Sequence, residues 1–329
     1  MKPPSASRLL VVLCALTTTA QSQNVATLVS AGYSSLPSPV IAPGQLTTFF
    51  VTGLDPVSPL PQRATSIPLP TMLAGVSVEV HQMPSGFNGA IPILAIDQRN
   101  LCSSGSAAAP AACLLTLLTV QIPYEVSAPS AVIDAAGFTT TMVSISVNGQ
   151  ASQSFAASAA PVNGHILNTC DFGRPSNLGC SPAVTHADGT LVSPYSPAHA
   201  TETLVMYLAG LGQTSPSGST GNPSPDPAAV VINPFTLEFD YTASAAIPVT
   251  ESPVGGPPPA ISFAGLTPGL VGVYQVNLSV QTPPANAVVC SGTGGSNLTL
   301  KVLFRTQVLD SVPLCVETNS AAGATGSRR

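Results

Sequence analysis

Ser38-Pro-Val-Ile-Ala-Pro-Gly44, followed by Phe49-Phe-Val-Thr-Gly-Leu54, returns in the second half of the chain as Ser196-Pro-Ala198 followed by Leu204-Val-Met-Tyr-Leu-Ala-Gly-Leu211. After each copy comes a run with strand character, then Ala90-Ile-Pro-Ile93 or Ala246-Ile-Pro-Val249. A third shared segment follows: Leu117-Leu-Thr-Val-Gln-Ile-Pro-Tyr124 and Val273-Tyr-Gln-Val-Asn-Leu-Ser-Val280. These runs are short, rich in Val, Ile, Leu and Thr, and bounded by Gly, Pro, Asn and Ser, the pattern of strands in a sandwich or barrel. Helical signals are nearly absent. Two copies of one β-rich unit predict a modular, non-catalytic build.

Strands of the first unit are expected at 47–52, 76–81, 91–96, 115–122 and 142–147. Val76-Ser-Val-Glu-Val-His81 alternates, giving one wet face and one buried face. Asn148-Gly149 then reads as a hairpin turn, because both positions tolerate positive φ. In the second unit strands are expected at 203–208, 236–241, 260–263, 273–280 and 298–305. Between the units, Ala183–Val192 reads as a hairpin across Asp188-Gly189. The expected fold is all-β: two tandem immunoglobulin-like β-sandwiches over 24–158 and 196–315, with a hairpin connector over 159–195. Residues 316–329 read as a disordered tail.

Charged residues make up only 7% of the 329 positions, against about a quarter in ordinary domains. The hydrophobic share of 44% argues against disorder despite 34 Pro and 27 Gly. Residues 1–22 read as a secretory signal, with Lys2 and Arg8 ahead of the apolar stretch Leu9–Leu16. That stretch is far shorter than the roughly 20 residues needed to span a bilayer, and no later segment supplies a transmembrane anchor. Without the signal, seven basic residues face fourteen acids, a net charge of −7 with no basic stripe for nucleic acid. The expected location is outside the cytoplasm: secreted, periplasmic or on the cell surface.

Seven cysteines less Cys14 of the signal leave six, an even number suited to disulfides in an oxidising compartment. Local spacing pairs Cys102 with Cys113, Cys170 with Cys180 and Cys290 with Cys315, and no pair has the C-x2-4-C spacing of a zinc site.

The ordered set Ile41-Ala-Pro-Gly44, Val120-Gln-Ile-Pro-Tyr-Glu-Val126, Ala187-Asp-Gly-Thr-Leu191, Leu208-Ala-Gly-Leu-Gly212 and Phe263–Asn277 resembles an uncharacterised C-terminal domain family expanded in Solibacter and other soil Acidobacteria. The likeness runs from about residue 26 to 316. It implies paired immunoglobulin-like units related to the IPT/TIG group, in an exported bacterial protein, with no catalytic residue to carry over. The chain departs from the family's usual pattern in lacking a large upstream partner domain. It also adds the cysteine-bearing insertions Leu101–Cys113 and Cys170–Cys180.

Chemistry-bearing motifs are sparse. There is no G-x-S-x-G elbow, no H-E-x-x-H, no phosphate-binding loop, no D-x-D-x-D-G calcium loop and no sign of a cofactor site. The best metal candidates are His165, His186, Asp188 and His199, whose spacing matches no recurring ligand pattern. Glu238 and Asp240 share one face of an alternating strand, most simply its solvent face; Glu79 has the same explanation. Tyr33, Tyr124, Tyr195 and Tyr241 are candidates for a saccharide-stacking platform, and Tyr207 and Tyr274 for the core. Tyr124 and Tyr274 recur in both units, which points to a shared packing role near a strand end. Leu266, Leu270 and Val271 lie in a glycine-bounded loop that either forms a contact point or folds back on the seam between the units. The functional expectation is an interaction, adhesion or surface-assembly role toward an extracellular or surface protein, with polysaccharide as the alternative partner.

Overall fold

The computed structural model describes residues 26–33, 39–57, 59–102, 111–128, 140–151, 154–172, 179–242, 254–255, 258–290 and 295–317. The expected signal, the Ala246–Val249 repeat segment and the chain beyond 317 lie outside them. Strands form four sheets, and no α-helix occurs among the described residues.

In the first half, one sheet runs in the order Thr27–Gly32, Leu46–Thr52, Leu114–Gln121, Ile93–Asn100, Gln62–Arg63, all antiparallel. The sheet facing it runs Val40–Ile41, Phe155–Ala159, Thr140–Val147, Val76–Met83, Met72–Leu73. Phe49, Val51, Leu118 and Val120 from the one meet Val78, Val80, Val143 and Ile145 from the other in a shared core. Each such side chain, fully buried, stabilises the fold by roughly 1.5–3 kcal/mol. Two further sheets lie in the second half. Thr203–Ala209, Tyr274–Ser279 and Ile261–Leu266 lie side by side and face Thr236–Tyr241, Leu298–Phe304 and Gln307–Leu314. Leu204, Met206, Leu208 and Val276 pack there against Phe239, Leu300 and Val302. The result is an all-β fold of antiparallel sheets packed face to face, as in immunoglobulin-like sandwiches.

The expected strands are all present, shifted by three residues or fewer at their starts. Asn148 and Gly149 have φ of +49° and +81° and close the hairpin that pairs Val147 with Gln150. Ala183–Val192 folds back as expected, with His186 N donating to Thr190 O and Val192 N to Val184 O, both 2.9 Å. Besides short strands of two or three residues, three longer ones were not anticipated. Thr27–Gly32 carries a register shift between Leu28 and Ser30 that breaks its alternation. Phe155–Ala159 is written almost wholly in Ala and Ser. Gln307–Leu314 contains Asp310 and Pro313, which sheet interiors avoid but an edge accepts. The expected tail begins too early: Val316 is fully buried and bridges Ala198.

All three expected disulfides form. Among the described residues no helix is long and apolar enough to cross a membrane.

Candidate functional site

The two halves meet along a seam built from the ends of their central strands. Tyr124 belongs to the first half, three residues past the strand Leu114–Gln121, yet its ring lies in the core of the second. Two glycines make room for it. A Cβ at Gly44 or at Gly218 would collide with the Tyr124 ring, and Gly44 also sits at φ +72°. The tyrosine's backbone is clamped by the second half: Tyr124 N donates to Thr220 Oγ1 at 3.1 Å, and Gln213 Nε2 donates to Tyr124 O. Its hydroxyl meets that of Tyr274, which in turn donates to Gly212 O. Burial pushes the Tyr124 phenol up to about 12, so it stays neutral.

More polar contacts run along the seam. Leu69 N donates to Gly221 O at 2.8 Å, Gly221 N to Gln121 Oε1 at 2.6 Å, and Asn163 Nδ2 to Val40 O at 2.9 Å. The loop after Ile261–Leu266 folds back as well: a Cβ at Gly272 would come within 2.9 Å of Leu46 Cγ. Of its three candidate contact residues, Leu266 is buried, Val271 is half-buried and Leu270 remains 46% exposed. Leu266 is therefore a core residue rather than a contact.

Beside this seam opens a cleft of about 490 Å³. The first half contributes Pro43 and the 124–128 segment, the connector Pro161, and the second half Gln213, Ile232–Pro234, Phe304 and Arg305. Glu125 is held by Thr220, whose hydroxyl donates to Oε2 at 2.7 Å. Arg305 occupies the turn between Leu298–Phe304 and Gln307–Leu314 at φ +58°, its guanidinium 5.2 Å from the Phe304 ring centroid.

The four metal candidates do not converge, and among the described residues no group of three His, Cys, Asp or Glu is placed to hold an ion. Each histidine finds its own carboxylate. His165 lies between Asp171 (2.9 Å from Nε2) and Asp310 (2.8 Å from Nδ1), stacked on Tyr33 at 3.8 Å. Burial opposes its charge, but hydrogen bonds to both carboxylates outweigh that cost and raise its pKa to about 9. His199 pairs with Glu317 at 2.7 Å on the surface. Asp188 accepts from Thr190 N and Oγ1 at 2.9 and 2.7 Å, a turn role.

His186 makes the arrangement nearest to catalytic chemistry. Its Nδ1 lies 2.5 Å from Glu202 Oε1 and its Nε2 3.2 Å from Ser196 Oγ, the connectivity of a Ser-His-acid relay. Its surroundings differ from those of such a relay. Nε2 is equally close to the Ser196 carbonyl, while the Glu202 carboxylate, against the opposing effect of burial, raises the imidazole pKa. Ser196 N is already spent on Ser193 O. The next residue is Pro197, which has no N–H to offer an oxyanion.

The saccharide platform is not formed as expected. Tyr33, Tyr124 and Tyr241 are buried because each anchors a core or the seam, and only Tyr195, at 85%, is exposed. Tyr274 is core, as expected, and Tyr207 is half-buried. Asp240 pairs with Lys301 and Glu79 with His81. Sequence reading passed over Gln213, which directly follows the Leu208–Gly212 segment, and over Thr220 and Arg305, which lie in turns that carry no motif. No protein-family model matches the chain, and no curated protein matches it.

Proposed function

We propose that this chain is an exported, non-catalytic recognition module, serving adhesion or surface assembly, that engages an extracellular partner through the seam cleft. The observation that carries this reading is the cleft itself. It is built by six separate stretches of chain, from both halves and the connector, brought together by the seam, and its volume falls in the range of about 300–1,000 Å³ usual for ligand sites. Three disulfides suit a chain that works in an oxidising compartment. The likeness to the Solibacter C-terminal domain family supports the same reading. So does the placement of its shared segments, because Gly44, Tyr124, Gly212, Gly272 and Tyr274 all lie on the seam.

The test is capture from the envelope and extracellular fraction by the oxidised mature protein and by an Ile232→Asp variant. Ile232 lines the cleft and is 57% exposed, so the substitution leaves the core untouched. A component retained by the native protein and lost by the variant is expected. Identical capture by both would overturn the assignment of the cleft.

A further inference from the structure

The side-chain amide nitrogens of Gln213 and Asn233, which line the seam cleft, donate to carbonyls of the protein. Gln213 Nε2 donates to Tyr124 O, and Asn233 Nδ2 faces the carbonyls of Pro161 and Leu211, each at 3.4 Å. Backbone donors follow the same pattern: Tyr124 N goes to Thr220, and Ser127 N goes to Gln82 Oε1 at 2.8 Å. Pro43, Pro161 and Pro234 have no N–H at all. Toward a ligand the cleft therefore offers, beside the Ser127 hydroxyl, the amide oxygens of Gln213 and Asn233 and the Glu125 carboxylate as acceptors.

The strong donor among the lining residues is Arg305. Described basic side chains are few, and Lys301 is committed to Asp240, whereas Arg305 joins no ion pair among the described residues. It also occupies a left-handed backbone position that a glycine would fill with less strain. Neither the turn nor the core requires its charge.

An acceptor-rich cleft with one guanidinium suits a ligand rich in hydroxyl donors that carries one carboxylate. We propose that the seam cleft takes an acidic sugar unit of an extracellular glycan, its hydroxyls donating to Gln213, Asn233 and Glu125 and its carboxylate paired with Arg305. An acidic peptide fits less well, because its backbone supplies one N–H per residue where a sugar ring supplies several O–H groups. Arg forms the bidentate pair that a carboxylate favours, which a Lys cannot reproduce. This inference rests on the recognition reading above.

The experiment is titration calorimetry of the oxidised mature protein with a galacturonate oligomer, a neutral galactose oligomer of equal length and a poly-glutamate peptide. Arg305→Gly suits the φ of the position and so keeps the fold, while Arg305→Lys keeps the charge. Binding of the galacturonate oligomer is expected, weakened by roughly tenfold or more in Arg305→Gly and less in Arg305→Lys, and weakened by added salt. Equal affinity in Arg305→Gly, equal binding of the neutral oligomer, or tighter binding of poly-glutamate would each overturn it. If no oligomer binds while Ile232→Asp still abolishes capture of an envelope component, the sugar inference falls and the recognition reading stands. If Ile232→Asp changes no capture either, both fall.

Discussion

At the scale of single residues, the seam depends on positions where a side chain has no room. Gly44 has φ +72°, and a Cβ there would run into the Tyr124 ring; Gly189 has φ +87° but open space around it. Gly189→Ala should therefore cost only the left-handed backbone penalty of about 1–2 kcal/mol, whereas Gly44→Ala should cost at least about 2 kcal/mol more, because Tyr124 must leave its place. Urea unfolding of the two variants checks the order; equal losses would mean that Tyr124 does not fill this space. His165 supplies a pH signature. Its folded pKa of about 9 exceeds the usual 6.5, so its stabilisation is complete below about pH 6.5 and fades as pH rises through 9. The difference is worth at most roughly 3 kcal/mol. His165→Gln should flatten the stability profile between pH 6.5 and 9, followed by thermal melting. At this scale the cysteine pairing and the Asn148-Gly149 turn were legible, because local spacing and backbone tolerance decide them. The place of Tyr124 was not, because the recurrence that marked it as a packing residue does not say which core receives it.

At the scale of elements, alternation and short apolar runs located the central strands, since those strands bury a face and must show it. The edges were harder to read. Gln307–Leu314 is held less by apolar burial than by its ladder to Leu298–Phe304 and by Asp310, which accepts from Ile166 N at 2.8 Å and meets His165. The disulfide Cys290–Cys315 pins the end of that strand and closes 25 residues, against 11 and 10 for the other two. Loop-closure entropy grows with length, so the double variant Cys290→Ala/Cys315→Ala should lose about 2–4 kcal/mol and more than Cys102→Ala/Cys113→Ala. Denaturant midpoints of the two pairs check this, and the reverse order would show that strand pairing rather than chain closure holds the edge.

At the scale of the whole molecule, the sequence pattern led to an expectation of β-rich units but said nothing of how they join. The loop around Ser215–Pro227 reads as a plain terminator of strands, yet its Gly218, Thr220 and Gly221 receive Tyr124 and Leu69 from the other half. No periodicity marks such residues, because their constraint comes from a surface far away in the chain. Recognition in the cleft requires that this seam be fixed rather than transient. Amide hydrogen exchange in the oxidised mature protein reads it directly, at Leu69, Tyr124 and Gly221, whose N–H groups donate across the seam. Protection close to that of the central strand amides of Leu46–Thr52 and Thr203–Ala209 is expected. Exchange at these three sites as fast as at exposed turns, with the strands still protected, would show two halves that move independently and would contradict a preformed cleft.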